Sequence, residues 1–98
     1  MPELRFEWDA KKNRANQREH KVSFEEAETA FEDERGLLMA DADHSDDEDR
    51  FLLLGLSARL RLLVVCHTYR EGEELIRLIS ARKADRSERA QYSRRWRQ

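Results

Sequence analysis

Leu62-Leu-Val-Val-Cys66 is apolar at five consecutive positions, inside a strand signal that runs from Arg59 to Tyr69. Successive side chains on a strand point to opposite faces, so an unbroken apolar run fits a central strand covered on both sides. Glu71-Gly72-Glu73 follows as a tight turn, and Leu75 to Ala81 returns antiparallel. Upstream, Arg50 to Leu56 is a further strand signal, and Leu37-Leu-Met39 a short one. The spacing predicts an antiparallel meander of three or four strands.

Working outward toward the N-terminus, Leu4-Arg-Phe-Glu-Trp8 alternates apolar and polar residues, the period of a half-buried strand. Asp9 then caps a predicted helix through about Glu19. That helix is mostly polar. Its apolar contribution is confined to Ala10 and Ala15, which predicts a surface position. Lys21 stands where a C-terminal glycine would be expected. Ser23-Phe-Glu-Glu26 is a capping box: the Ser23 hydroxyl takes the Glu26 amide, and the Glu26 carboxylate reaches back to Ser23. In the helix that follows, Phe24, Ala27 and Phe31 share one face. Both helices are expected on the same side of the sheet. Toward the C-terminus, Asp85-Arg-Ser-Glu88 is a second capping box and opens a last helix. Together these elements predict one α+β domain spanning residues 1–98.

The net charge of -2 conceals a separation of sign. Residues 25–49 hold twelve Asp/Glu and one Arg, whereas residues 77–98 hold eight Lys/Arg and two Asp/Glu. Screening limits each patch to a reach of about 10 Å, so a basic segment on a near-neutral chain still attracts phosphate locally. A single cysteine excludes an internal disulfide, and no apolar run approaches the length of a membrane span. Without a signal-peptide layout, the expected location is cytoplasmic. No P-loop, dinucleotide fingerprint or paired-cysteine zinc site is present, and no cofactor or metal is expected. The acidic run Asp41 to Asp49 lacks the glycine and terminal spacing of an EF-hand, and reads as a solvated loop or a contact surface for a basic partner.

The residues with chemical potential converge on the junction between the last strand and the last helix. Arg77, Arg82, Lys83, Arg86 and Arg89 are cations from a strand end and a helix start. Guanidinium groups bind phosphate in bidentate fashion. Tyr92 lies one turn beyond Glu88, adding a phenol and a carboxylate. RNA cleavage requires a deprotonated 2′-hydroxyl, a protonated leaving oxygen and stabilisation of the phosphorane charge. This set supplies such groups without a metal. Each also has a structural reading: Glu88 closes the capping box, Tyr92 packs on the sheet, and Arg82 and Arg89 bridge to acids. His67, on the central strand, is either a hydrogen-bonded core histidine or a general acid or base.

The sequence resembles the BrnT family of bacterial type II toxins over nearly its whole length. The resemblance rests on Phe6-Glu-Trp-Asp9, Asn16 through His20, Val22-Ser-Phe-Glu-Glu-Ala27, Phe31-Glu-Asp33, Asp43-His-Ser45, Glu48-Asp-Arg-Phe51, Gly55, Ile76 through Arg82, Ala84, Glu88-Arg89 and Tyr92. It departs where the family shows Lys-His-Gly and this chain has Glu19-His20-Lys21, and where Asp85 replaces a threonine. The resemblance implies a RelE-like fold, with an antiparallel sheet, two N-terminal helices and a C-terminal helix. It implies an endoribonuclease that cleaves RNA and arrests translation and growth. It also implies a BrnA-like ribbon-helix-helix antitoxin that neutralises the toxin, with operator DNA bound only through the complex. On that reading Arg82, Glu88, Arg89, Tyr92 and His67 are the expected catalytic residues, and Arg77, Lys83 and Arg86 the expected RNA-binding ones. The competing reading is a non-enzymatic module that binds nucleic acid or a partner, as a subunit of a repressor complex.

Overall fold

β-Branched and leucine-rich runs separated by turn residues build a five-stranded sheet in the computed structural model, which describes residues 4–41, 49–72 and 74–95. The strands are β1 (Arg5–Glu7), β2 (Leu37–Ala40), β3 (Phe51–Leu56), β4 (Leu62–Arg70) and β5 (Leu75–Lys83). The helices are α1 (Ala10–His20), α2 (Phe24–Thr29), extended by a short 3-10 turn over Ala30–Glu32, and α3 (Arg86–Arg95). Most of the acidic loop (residues 42–48), Glu73 and Trp96 lie outside the described residues.

The strand order is β1-β5-β4-β3-β2. β2 to β5 form the expected antiparallel meander. The expectation of a purely antiparallel sheet is corrected by β1, which pairs parallel to β5 with Arg5 opposite Leu75 and Glu7 opposite Arg77. The helices between β1 and β2 carry the chain across the sheet, so β1 is added at the far edge rather than through a hairpin. RelE-like is therefore a loose description of a mixed sheet.

The central run is covered on both faces, as its apolarity requires. Leu63 and Val65 join Phe24, Ala27, Leu53, Ile76 and Leu78 under α1 and α2, while Val64 joins Leu54, Ala84 and Tyr92 under α3. The register between β4 and β5 shifts at Cys66/His67. Leu78 lies opposite His67 and Ser80 opposite Cys66, leaving Ile79 as an extra residue on β5. Such a bulge changes the phase of side-chain alternation. Ile76 and Leu78 face the larger core and so does Ala81, which strict alternation would not allow. Arg82 is thereby turned to the α3 side.

α1 corrects a second expectation. Its buried residues are Asn13 and Asn16, not the alanines. Asn16 does the work of a neighbouring strand where β1 has ended. Its side-chain amide donates to the Ala81 and Val22 carbonyls, both at 2.8 Å, and its oxygen accepts from the Ala81 N–H at 3.0 Å. Asn13 accepts from the Phe24 N–H at 2.9 Å and fixes the start of α2.

The first capping box is only half formed. Ser23 Oγ accepts from the Glu26 N–H at 3.0 Å, but the Glu26 carboxylate does not reach back. It is taken instead by Arg61 and by the Ser57 hydroxyl, the latter at 2.7 Å. Arg61 also donates to the Lys21 carbonyl at 2.9 Å, joining the β3–β4 turn to the α1–α2 corner. Lys21 does adopt the left-handed conformation, with φ of 60°. Leu60, at φ 62°, does the same. Each such non-glycine residue costs about 1–2 kcal/mol.

Candidate functional site

β5 ends and α3 begins around a single carboxylate. Asp85 caps α3, its Oδ1 accepting from the Glu88 N–H at 2.8 Å, and Glu88 Oε1 accepts from the Asp85 N–H at 2.9 Å. The second capping box is thus closed in both directions. The same Glu88 carboxylate receives Arg82 in a bidentate clamp, with Nη1 at 2.7 Å and Nη2 at 2.8 Å. The Arg82 guanidinium holds Glu88 below the usual carboxylate range, against the opposing effect of burial. The Glu88 carboxylate in turn raises the Arg82 pKa. In this arrangement Glu88 is an anion and a poor proton acceptor, since a general base works best with a pKa near the operating pH.

The neighbouring cations differ in their engagement. Arg89 donates to the Ala84 carbonyl at 2.9 Å, which closes the strand–helix corner. Lys83 and Arg86 are exposed and make no ion pair among the described residues. Both lie in the chain between Arg82 and Glu88, the two members of the clamp. A phosphate approaching this corner meets two open cations and one guanidinium whose carboxylate partner it can displace.

Tyr92 is the one buried residue of α3. Its hydroxyl donates to Asp33 Oδ2 at 2.5 Å, so the proton is committed to Asp33 in this conformation. Burial raises the Asp33 pKa. The hydrogen bonds from Tyr92 and from the Leu56 and Arg35 amides outweigh it and hold the carboxyl below its ordinary value.

Two expected site residues are placed elsewhere. Arg77 is five positions before Arg82 on β5, about 17 Å along an extended strand, and donates to Glu7 Oε2 at 3.0 Å. His67 is 0% exposed. Its Nδ1 lies 3.0 Å from the Val65 carbonyl and its Nε2 3.3 Å from the Tyr69 hydroxyl. Phe31 meets its ring edge-on at 4.8 Å, with Phe51 and Tyr69 alongside. Burial pushes the imidazole pKa down. A neutral ring that donates through Nδ1 and accepts through Nε2 satisfies both nitrogens. The structure brings together Arg82, Lys83, Arg86, Glu88 and Arg89, sets Tyr92 beneath them, and leaves Arg77 and His67 apart.

Sequence reasoning missed Asp33 as the partner of Tyr92, and Arg61 as the partner of Glu26. Neither pairing has a local signal, because 59 and 35 positions separate the partners. Asp33 also lines a groove of about 250 Å³, together with Thr29, Glu32, Leu56, Ser57 and Ala58.

The mixed sheet, its two N-terminal helices and its C-terminal helix define a small α+β domain with a clamped guanidinium and exposed cations at one corner. Comparison with known families specifies it further. Residues 8–88 match the family model described as the ribonuclease toxin, BrnT, of type II toxin-antitoxin system. The chain belongs to that family. It is the endoribonuclease toxin of a type II pair, and an antitoxin is its partner. The fold is also that of the Brucella abortus ribonuclease toxin, BrnT, whose crystal structure aligns with a TM-score of 0.60 at 21% identity. That alignment covers 86% of this chain and all of the other. No curated protein matches the sequence. No helix among the described residues is long and apolar enough to cross a membrane.

Proposed function

We propose that RNA is bound and cleaved at the β5–α3 corner, with Arg82 as the phosphate-holding residue. The observation that carries this reading is the bidentate Arg82–Glu88 pair, with Lys83 and Arg86, exposed and without an ion-pair partner among the described residues, on the short segment between its two members. The scissile phosphate competes for the Arg82 guanidinium. Arg82 and Arg89 then neutralise the charge of the phosphorane. Glu88, released from its main cationic partner, returns toward an ordinary carboxylate pKa and accepts the proton of the 2′-hydroxyl as the 2′-oxygen bonds to phosphorus; the P–O5′ bond breaks and the departing 5′-oxygen takes a proton from water. Lys83 and Arg86 hold the flanking phosphates. Tyr92, anchored by Asp33, fixes the depth at which α3 sits.

The antitoxin in this reading is a BrnA-like ribbon-helix-helix protein, and operator DNA is bound only by the toxin–antitoxin complex. Both rest on the family resemblance. The test is cleavage of single-stranded RNA by the purified chain. Arg82→Ala is expected to slow it about a hundredfold, the usual effect of deleting one charge-stabilising donor, while the far-ultraviolet circular dichroism spectrum is unchanged. Wild-type cleavage rates in a folded Arg82→Ala variant would remove Arg82 from the site.

A further inference from the structure

The tip of the β3–β4 turn combines two features that a purely structural turn does not need. Leu60 is 78% exposed, the most exposed large apolar residue among those described. It also holds a left-handed backbone, at φ 62°, where glycine or asparagine is the usual choice. The turn itself is firmly held. Ser57 donates to the Arg61 carbonyl and accepts from the Leu60 N–H, both at 2.9 Å, and the Ala58 N–H donates to Thr29 Oγ1 at 2.8 Å. The side chain is therefore presented on a rigid support rather than on a loose loop.

The surroundings of this tip are cationic. Arg59 is 72% exposed and stands 3.8 Å from Glu26, whose oxygens are already occupied by Arg61 and Ser57. Lys21 is brought to the same end because Arg61 donates to its carbonyl. β5 finishes alongside: the Ala84 N–H donates to the Leu62 carbonyl at 2.9 Å, and Lys83 is opposite Leu63. The turn and the β5–α3 corner thus share one end of the sheet. The two strands of the turn lie one and two strand spacings from β5, about 5 and 10 Å, comparable with the Debye length of about 8 Å at physiological salt.

We propose that Arg59, Leu60 and Lys21 form a second arm of the RNA surface, binding the strand a few nucleotides from the phosphate held at Arg82. This rests on the RNA-cleavage reading above. Arg59 and Lys21 contact phosphates, and the Leu60 side chain packs against the face of an unstacked base. An apolar contact beside cations suits single-stranded RNA, whose bases offer π-faces next to a charged backbone.

The test uses a fluorescein-labelled, fully 2′-O-methylated RNA dodecamer, which binds without being cleaved, and fluorescence anisotropy across a salt series. Leu60→Gly relieves the left-handed strain and removes no charge. It is expected to weaken binding about fivefold, as loss of a half-buried leucine contact would. Its salt slope should equal that of wild type, and its urea midpoint should stay the same or rise. Arg59→Ala should lower the slope of log K against log salt by about 0.7, one phosphate contact on a single strand. Arg5→Ala, an exposed arginine paired with Glu71 at the other end of the sheet, should bind like wild type. Wild-type affinity in Leu60→Gly and a wild-type slope in Arg59→Ala would overturn the second arm. If wild type still cleaves RNA and Arg82→Ala does not, only the second arm has failed. If wild type neither binds nor cleaves RNA, the reading beneath it has failed as well. Loss of neutralisation by the cognate antitoxin, with RNA affinity intact, would assign the turn to that partner and overturn the RNA contact.

Discussion

Asn16→Ala offers the most direct test of how the cationic corner is held. The Asn16 side chain makes three buried hydrogen bonds, two of them to the backbone of Ala81, the residue before Arg82. Truncation removes all three and leaves the Ala81 N–H, the Ala81 carbonyl and the Val22 carbonyl without their side-chain partner. At about 1 kcal/mol for each buried group left unpaired, the loss comes to about 3 kcal/mol. For a domain of this size that is about 15 °C in Tm. Urea denaturation with circular dichroism measures the first and calorimetry the second. Asn16→Asp should be worse at neutral pH, because a carboxylate would face two carbonyl oxygens. Burial beside carbonyls raises the carboxyl's folded pKa, so the deficit should shrink as pH falls toward about 4 and level off below it, where the protonated acid has regained one donor. An Asn16→Ala variant within 1 kcal/mol of wild type would show that the polar bridge is replaceable by water, and the account of α1 packing would be wrong.

Arg61→Ala leaves the Glu26 carboxylate buried beside Ser57 without its guanidinium. A cost of about 3 kcal/mol is expected, at the low end for a broken buried pair because Arg61 is partly exposed. The hydrogen bonds from Arg61 hold the Glu26 pKa below its ordinary value of 4.5. The pair's contribution is therefore complete above about pH 5 and fades as pH falls through the folded-state pKa. A wild-type minus Arg61→Ala stability difference that stays constant from pH 7 to below 4 would contradict this. His67 works in the opposite charge sense. Its folded pKa is lowered from 6.5 by burial, so the unfolded chain binds a proton first. Urea midpoints should fall as pH drops below about 6.5, and His67→Gln should lack that component of the slope; an unchanged slope would refute the buried neutral imidazole.

Much of the sheet is legible in the run Leu62 to Cys66 and in the turn at Gly72, because apolar alternation and turn chemistry are local properties. β1 was readable as a strand but not as a parallel one, since its partner lies 70 positions away at Leu75. α1 looks like a surface helix because its inner face is built from asparagines, which no hydrophobic period reveals. The bulge at Ile79 is likewise silent in the sequence, yet it decides which side of the sheet Arg82 occupies. Around the candidate site, the box Asp85 to Glu88 is fully local and forms as its spacing predicts. The box at Ser23 to Glu26 carries an equivalent pattern and forms only half, because Arg61 outcompetes a backbone amide for the carboxylate. The expected cations could be read from composition. Their engagement and that of Tyr92 could not, since Glu7 reaches Arg77 across 70 positions and Asp33 reaches Tyr92 across 59.

The pairing of β1 with β5 has a consequence for the order of assembly. Arg5 and Leu75 are 70 positions apart, so the outer edge of the sheet cannot close before β5 has been synthesised. Pairings across such sequence distances are slow to form. β5 also carries Arg82, and α3 with Glu88 follows it. The α1–α2 layer waits for the same strand, because its core includes Ile76, Leu78 and Ala81 and Asn16 is anchored on Ala81. The α1–α2 layer and the β5–α3 corner are therefore completed together, as β5 joins the sheet.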